Sequence, residues 1–247
     1  MDIQSFKGAE AGGSISRIRV IRSLLKLLRE EYVKVAIKED ILKEEDRIGA
    51  LNRDFLRKHG VTAFNLIGSP GAGKTSLIEA AYRQLAGKAS IGVIEGDLAS
   101  DKDTVRLKKL GLEALQINTG RGCHLSPAMI AGALSGMGLN LIDILIIENV
   151  GNLVCPVSFD LGEEAKIGLS SVAEGDDKPT KYPLLFLEAS VVILNKIDLI
   201  PHTDFSREAF YQGLREINPT IPVIEVSCRT GVGVEEWGEW LLKWIHS

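Results

Sequence analysis

Cysteine and long apolar runs are scarce in this chain of 247 residues, and its 29 Lys and Arg residues are outnumbered by 33 Asp and Glu residues. Its three cysteines do not suggest a disulfide framework, so a reducing cytoplasm is the expected compartment. The formal net charge of −4 implies no broad basic surface, which argues against nucleic acid as the main partner. The longest wholly apolar runs are short, such as Ile144–Ile147, and the N-terminus lacks the apolar core of a signal peptide. No membrane partner is therefore expected.

The most informative stretch joins a short apolar run, residues 61–67, to the sequence GSPGAGKT. This sequence fits the G-x-x-x-x-G-K-[ST] pattern of a P-loop. The glycines let the backbone curl so that its N–H groups surround phosphate oxygens at the positive end of the following helix. Lys74 is expected to reach the β- and γ-phosphates, and the Thr75 hydroxyl to bind Mg²⁺. The predicted phosphate-binding residues are Gly68, Ser69, Gly71, Ala72, Gly73, Lys74, Thr75 and Ser76.

Apolar runs alternate with helical patterns along most of the chain, which predicts an α/β fold. Hydrophobic residues make up 45% of the chain, enough for a sizeable core. Most predicted strands are continuous apolar runs, which is typical of a mainly parallel sheet with helices on both faces. We therefore predict the three-layer P-loop NTPase fold. The predicted strands are residues 61–67, 89–94, 114–117, 141–147, 165–172, 190–194 and 222–226. The predicted helices include residues 74–86, 101–110, 180–188 and 206–217.

Residues 1–59 are predicted to form an extension that precedes a P-loop domain at residues 60–247. The first 16 residues contain several Gly, Ser and Ala residues and are expected to be a mobile tail. From residue 18 to residue 58 the pattern is helical, with Val20, Leu24, Leu27 and Leu28 on one face. This helical segment is either a lever that docks a partner or a helix packed on the domain.

The sequence Asn-Lys-Ile-Asp at residues 195–198 follows a predicted strand and indicates guanine selection. The Asp198 carboxylate can accept hydrogen bonds from N1–H and the 2-amino group of guanine, a donor pair that adenine lacks. Lys196 can lay its stem along the base, and Asn195 can brace the neighbouring loops. GTP and GDP are therefore the expected ligands. The residues that could donate backbone N–H groups to guanine O6 are Ser227, Cys228 and Arg229.

Two acidic residues, Asp97 and Glu148, follow other predicted strands. Either carboxylate could hold Mg²⁺, directly or through water, or position the attacking water. Glu148 and Gly151 resemble the D-x-x-G element of GTPases with Glu in place of Asp. Nearby Asp101 could equally cap a helix. Together with Lys74, which would neutralise charge on the transferring phosphoryl group, Asp97 and Glu148 are the predicted catalytic residues.

Cys123 and His124 are adjacent in a predicted loop, and Cys155 follows another strand end. Their spacing is not that of a zinc finger, but in a doubly wound sheet the two loops can approach each other. Two thiolates and one imidazole suit Ni²⁺ or Zn²⁺, and a symmetric dimer could complete the metal shell. The alternative is a pair of small buried thiols beside an unrelated histidine.

Several of these stretches together resemble the HypB family of hydrogenase nickel-incorporation GTPases. The resemblance covers about residues 60–245 and is most specific in the sequence ENVGNLVCP, which begins at Glu148. The other matching stretches are the P-loop and residues 95–103, 118–125, 174–179 and 195–199. The resemblance implies a SIMIBI-class GTPase that dimerises with GTP and assists nickel delivery to [NiFe]-hydrogenase.

The resemblance also implies a metal site at the dimer interface, built from Cys123, His124 and Cys155. The implied partners are a second copy of the chain, a HypA-type nickel-binding accessory protein and the hydrogenase large subunit. No Cys-rich motif or His-rich tract precedes Gly60, so an N-terminal nickel site and a storage role are not expected. Ser69 stands where the deviant Walker motifs carry an extra lysine.

Three different functions also stay open at the level of sequence. The first is that of the urease accessory GTPase UreG, which is similar in its P-loop and N-K-x-D element but has a Cys-Pro-His metal motif. Here Cys-His at residues 123–124 is separate from Cys-Pro at residues 155–156. The second is a GTPase switch without metal transfer. The third is a P-loop enzyme that moves phosphate onto a small molecule.

Overall fold

Seven parallel strands form one sheet in the part of the chain that the computed structural model describes, residues 42–97, 102–120 and 122–245. The strands are β1 Thr62–Gly68, β2 Ile91–Asp97, β3 Glu113–Asn118, β4 Ile144–Glu148, β5 Ala165–Ser171, β6 Val191–Asn195 and β7 Val223–Val226. Their order across the sheet is β3-β2-β4-β1-β5-β6-β7. Every neighbouring pair is parallel, so the carboxyl ends of the strands lie at one edge.

Helices cover both faces of this sheet, which confirms the predicted three-layer α/β fold. The helices are α1 at residues 42–58, α2 Lys74–Gln84, α3 Lys102–Lys109, α4 Pro127–Leu134, α5 Lys178–Lys181, α6 Pro183–Glu188, α7 Arg207–Ile217 and α8 Val234–Ile245. Short 3-10 helices occur at Leu139–Leu141, Cys155–Ser158, Val172–Glu174 and Ile197–His202. Within the described ranges, no helix has the length and apolar character needed to cross a bilayer.

The core follows the alternation of side chains along the strands. Phe64 and Leu66 of β1 face a cluster that includes Leu77 of α2 and Trp237 of α8. The opposite face of β1 packs against two further clusters, one built with α1 and α4 and the other with α6 and α7. Because both faces are covered by helices, the strands are apolar on both sides, which is why they read as continuous apolar runs.

The structure corrects the predicted bounds of several elements. β2 continues through the polar residues to Asp97, because Glu95–Asp97 pair with the equally polar end of β3. β4 begins at Ile144 rather than at residue 141, because Leu139–Leu141 form a 3-10 turn. The helix predicted at residues 180–188 is two helices, because Pro183 lacks the N–H that would continue α5 and instead begins α6.

Predictions for residues 1–41 and for residue 101 lie outside the described ranges. They concern the tail at residues 1–16, the apolar face formed by Val20, Leu24, Leu27 and Leu28, and the capping role of Asp101. The division between an extension at residues 1–59 and a domain at residues 60–247 stays a prediction.

Buried polar contacts connect α1 to the start of α4 and to the loop after β4. Asn52, which is buried, donates from Nδ2 to the carbonyl oxygens of Pro127 (2.8 Å) and Leu161 (3.1 Å). Gly162 (φ 99°) lies so close that an added Cβ would be 2.6 Å from the Cβ of Asn52. Leu56 also joins the apolar core, so α1 packs against the sheet at this point. The two roles predicted for the whole segment at residues 18–58 stay predictions.

The Asn52→Ala substitution should reduce the free energy of unfolding by about 1–3 kcal/mol, because it leaves two carbonyl oxygens without their buried donor. Urea denaturation would measure the loss. The matched control is Asp54→Ala, an exposed position on the same helix, which should change stability by no more than about 0.5 kcal/mol. Equal stability of Asn52→Ala and wild type would contradict a fastening role for the amide.

Candidate functional site

The loop between β1 and α2 curls around the side chain of Lys74. Gly71 (φ 79°) and Gly73 (φ 101°) have positive φ angles, which glycine adopts without strain. A Cβ at Gly73 would also lie 2.4 Å from Nδ2 of Asn195, so only glycine fits there. Lys74 Nζ donates to the carbonyl oxygens of Gly68 (3.2 Å) and Ser69 (3.3 Å). The loop therefore has the local shape that the P-loop pattern predicted.

A buried carboxylate from β4 meets the start of α2. Thr75 Oγ1 donates to Glu148 Oε1 at 3.2 Å, and Glu148 is only 5% exposed. Burial raises the pKa of Glu148 to about 8, and the Lys74 ammonium opposes that rise. Its second oxygen, Oε2, is buried without a hydrogen-bond partner among the described residues. A threonine hydroxyl beside such an oxygen is the donor set that a hard cation such as Mg²⁺ takes.

Asp97 lies at the end of β2 and lines the same cavity as Lys74, Thr75 and Glu148. This cavity has a volume of about 560 Å³. Its wall also contains Pro70, at the tip of the P-loop. The structure thus brings the three predicted catalytic residues to one cavity, together with the predicted Mg²⁺ ligands.

A second cavity of about 540 Å³ adjoins the first and contains Asp198 and Cys228. Asn195 Nδ2 donates to the Ala72 carbonyl at 3.0 Å, and its Oδ1 accepts from the backbone N–H of Cys228 at 3.4 Å. Asn195 therefore ties the P-loop to the loop after β7. The remaining predicted residues in the wall of this cavity are Gly73, Ser76, Asn195, Lys196 and Arg229.

The cationic and acidic side chains of the guanine pattern are held in place by neighbouring loops. Lys196, with a φ of 60°, donates from Nζ to the Gly71 carbonyl at 2.6 Å. Ser227 Oγ donates to Asp198 Oδ1 at 2.7 Å. The hydroxyl restrains the carboxylate at the wall of the cavity. Ser227 itself is fully buried, so its side chain acts on Asp198 rather than on the cavity.

Sequence reasoning missed four residues beside these cavities. Glu95 accepts a hydrogen bond from Thr104 Oγ1, and its register places it beside Glu148 on the neighbouring strand. Burial raises the pKa of Glu95. Arg106 donates to Glu79 Oε2 at 2.7 Å. Glu95 belongs to the stretch at residues 95–103 that carries the family resemblance, so the sequence offered a signal for it. The Arg106–Glu79 pair joins two helices, and no local sequence pattern indicates it.

Cys123, His124 and Cys155 form the one candidate metal cluster within the described residues, with their ligand atoms all within 4.8 Å of one another. Cys123 Sγ lies 3.5 Å from His124 Nδ1. The His124 ring stacks on Phe159 with the ring centroids 4.0 Å apart. Burial lowers the pKa of His124, which favours the neutral imidazole that binds metals. A hydrogen bond with Cys155 raises the pKa of Cys123.

The fold and the loop around Lys74 define the chain as a P-loop protein. Residues 62–225 match the family described as CobW/HypB/UreG, nucleotide-binding domain. The hydrogenase maturation factor HypB of Azotobacter vinelandii is 47% identical over 205 residues, which are 83% of this chain and 68% of that protein. The HypB of Escherichia coli (strain K12) is 44% identical over 202 residues, or 82% and 70% of the two chains.

A solved structure of similar fold is HypB from Helicobacter pylori in complex with nickel. It has a TM-score of 0.78 and 37% identity, and the match covers 82% of this chain and 95% of that one. The chain belongs to the HypB family of hydrogenase maturation factors. The resemblance that the motifs indicated is therefore confirmed.

Cys228 should be the slowest of the three cysteines to react with iodoacetamide at pH 8. Burial raises the pKa of its thiol to about 11, so only about one thiol in a thousand is a thiolate at that pH. The rate should rise about tenfold per pH unit as the pH approaches 11. Peptide mass spectrometry would measure it, with the chain unfolded in guanidinium as the control. Labelling of folded Cys228 as fast as in the unfolded chain would refute the burial argument.

Proposed function

We propose that this chain is a GTP-hydrolysing nickel metallochaperone that assists nickel insertion into [NiFe]-hydrogenase. One observation carries the proposal: the Cys123–His124–Cys155 cluster lies at the same edge of the sheet as the P-loop. Cys155 and Glu148 also belong to one short segment, at the end of β4 and in the loop that follows. Metal ligands and nucleotide ligands are thus close enough in the chain to influence one another.

The nucleotide phosphates would lie in the loop at residues 68–76, against its backbone N–H groups and the start of α2. Lys74 would exchange its bonds to the Gly68 and Ser69 carbonyls for bonds to phosphate oxygens. Thr75 and Glu148 would hold Mg²⁺, which when bound would neutralise charge developing on the phosphoryl group. Asp97 or Glu148 would orient the attacking water. The unpartnered oxygen of Glu148 supports its role as a cation ligand.

Guanine would enter the second cavity. Asp198 would accept from N1–H and the 2-amino group, with its carboxylate restrained by Ser227. Lys196 would lie along the base. The backbone N–H of Arg229 would face O6, because the N–H groups of Ser227 and Cys228 donate to the Val232 carbonyl and to Asn195 Oδ1. Adenine would leave the carboxylate facing an acceptor, which disfavours it strongly.

Nickel is the cargo in this proposal. Two thiolates and a neutral imidazole form a soft donor set that Ni²⁺ accepts, and Zn²⁺ would suit it too. Because three ligands leave a four-coordinate shell incomplete, a second copy of the chain would complete it in a GTP-promoted homodimer. A HypA-type accessory protein and the hydrogenase large subunit would be its partners in the cytoplasm. Residues 60–247 would carry both sites, and residues 1–59 would form the extension.

The Asp198→Asn substitution should weaken GTP binding and introduce binding of XTP. The amide supplies a donor where guanine requires an acceptor, whereas xanthine carries a carbonyl oxygen at that position. Titration with fluorescent GTP and XTP analogues would measure both affinities. The comparison variant is Lys74→Ala, which should lose hydrolysis without any change in base preference. Unchanged GTP affinity in Asp198→Asn would show that the base does not contact this carboxylate.

Nickel affinity should differ about tenfold or more between the GDP state and the state with a non-hydrolysable GTP analogue. Competition with a chromophoric chelator would measure it, and light scattering would follow dimer formation. Cys123→Ala should lose the site, while Cys228→Ala, the matched control, should retain it. Full nickel stoichiometry in Cys123→Ala would refute the assignment of the metal site. Equal affinities in the two nucleotide states would refute nucleotide-gated release.

A further inference from the structure

The loop after β4, residues 149–164, contacts the predicted nucleotide site and the metal cluster at once. It begins next to Glu148, whose carboxylate accepts from Thr75. Gly151 lies against the P-loop so closely that an added Cβ would be 2.7 Å from Cγ of Pro70. The same loop carries Cys155. A displacement of Pro70 would therefore also displace the segment that supplies Cys155.

Asn149, which is 1% exposed, connects this loop to the one that carries Cys123 and His124. Its Oδ1 accepts from the backbone N–H of Leu125 at 3.1 Å and from its neighbour Val150 at 3.0 Å. Backbone N–H groups can only donate, so these two bonds determine which end of the amide carries the oxygen. The amide oxygen of Asn149 thus holds the residue immediately after His124.

The amide nitrogen of Asn149 belongs to a buried network of hydrogen bonds at the edge of the sheet. Its Nδ2 donates to Asn65 Oδ1 at 3.1 Å, and Asn65 Nδ2 donates to Glu163 Oε1 at 3.2 Å. Glu163 Oε2 accepts from the backbone N–H of Leu161 at 2.6 Å. Every side chain in this network has a hydrogen-bond partner, and Asn65 and Glu163 are both buried, so the network is costly to break. It fixes Asn149 against β1 on one side and against the far end of its own loop on the other.

A second asparagine reaches the same target from the same loop. Asn152 Nδ2 donates to the Cys123 carbonyl at 3.3 Å. Asn152 therefore bonds the first residue of the segment 123–125, and Asn149 bonds the last. These asparagines follow Glu148 by four positions and by one position. The two loops at the metal cluster can then move together when the end of β4 moves.

We propose that Asn149 is a positioning residue that transmits the nucleotide state from the end of β4 to the Cys123–His124 pair. The inference rests on the proposed function, since it requires a chain that binds both nickel and GTP. It adds the residue through which the two sites communicate. Asn149 lines the first cavity, but its amide oxygen bonds to Leu125 and Val150 and its amide nitrogen to Asn65. It therefore acts on the Cys123–His124 pair through Leu125.

A merely structural asparagine would lower stability without changing communication between the sites. Asn52 is the matched control, because it is also buried and also bonds to two separate segments, Pro127 at the start of α4 and Leu161 in the loop after β4. Asn52 lies on α1 and has no bond to the end of β4. Both Asn149→Ala and Asn52→Ala should lower stability, but only Asn149→Ala should reduce the coupling between the nucleotide site and the metal site.

The experiment measures nickel affinity in the GDP state and in the state with a non-hydrolysable GTP analogue, on the full chain. The readout is the ratio of the two affinities, expected to be about tenfold or more in wild type. Asn149→Ala should bring the ratio to within about twofold of one, with nickel stoichiometry and nucleotide binding retained. Asn52→Ala should keep the wild-type ratio.

If Asn149→Ala does not fold, Asn149→Ser replaces it with the same expected ratio, since its hydroxyl is too short to reach the N–H of Leu125. A wild-type ratio in a folded Asn149→Ala or Asn149→Ser would overturn the inference, as would an equal loss of coupling in Asn52→Ala. A wild type that binds nickel and GTP with a ratio of one overturns this inference and nucleotide-gated release, while the nickel and GTP sites of the proposed function stand. A wild type that fails to bind nickel or GTP overturns the proposed function as well.

Discussion

The parallel direction of all seven strands is the constraint on which the arrangement of both candidate sites depends. Parallel strands bring their carboxyl ends to one edge, so the polar residues after each strand share a small region. Glu148 meets Thr75 across that edge because β4 and β1 are neighbours. Helices on both faces keep water from the strands, which makes the carboxylates at the edge unusually buried. The raised pKa of Glu148 follows from that burial.

Asparagine amides join the loops at this edge. Asn195 bonds the P-loop on one side and the loop after β7 on the other. Asn149 bonds the loop after β3 and, through Asn65, strand β1. An amide has a donor and an acceptor on one short side chain, so it can satisfy a carbonyl and an N–H from different segments at once. The same residue type therefore connects loops in the guanine cavity and beside the metal cluster.

Much of the fold could be predicted from local patterns, because continuous apolar runs and intervening helical periodicity report directly on a covered parallel sheet. The conformation of the loop around Lys74 was also predictable, since its glycines and its lysine lie within eight residues. Element bounds were less predictable. β2 extends to Asp97 because a neighbouring strand pairs with its polar end, and a partner strand is invisible in a single stretch of sequence.

The sequence by itself determined the fold class, the P-loop, the guanine pattern and the family, because each depends on residues close together in the chain. Only the tertiary structure decided which distant side chains meet. Cys123 and Cys155 come within reach of one ion because β3 and β4 end at the same edge, on either side of β2. Leu125 meets Asn149 at that edge, and Arg106 meets Glu79 where α3 lies beside α2. Such contacts depend on strand order and helix packing, which no local spacing encodes.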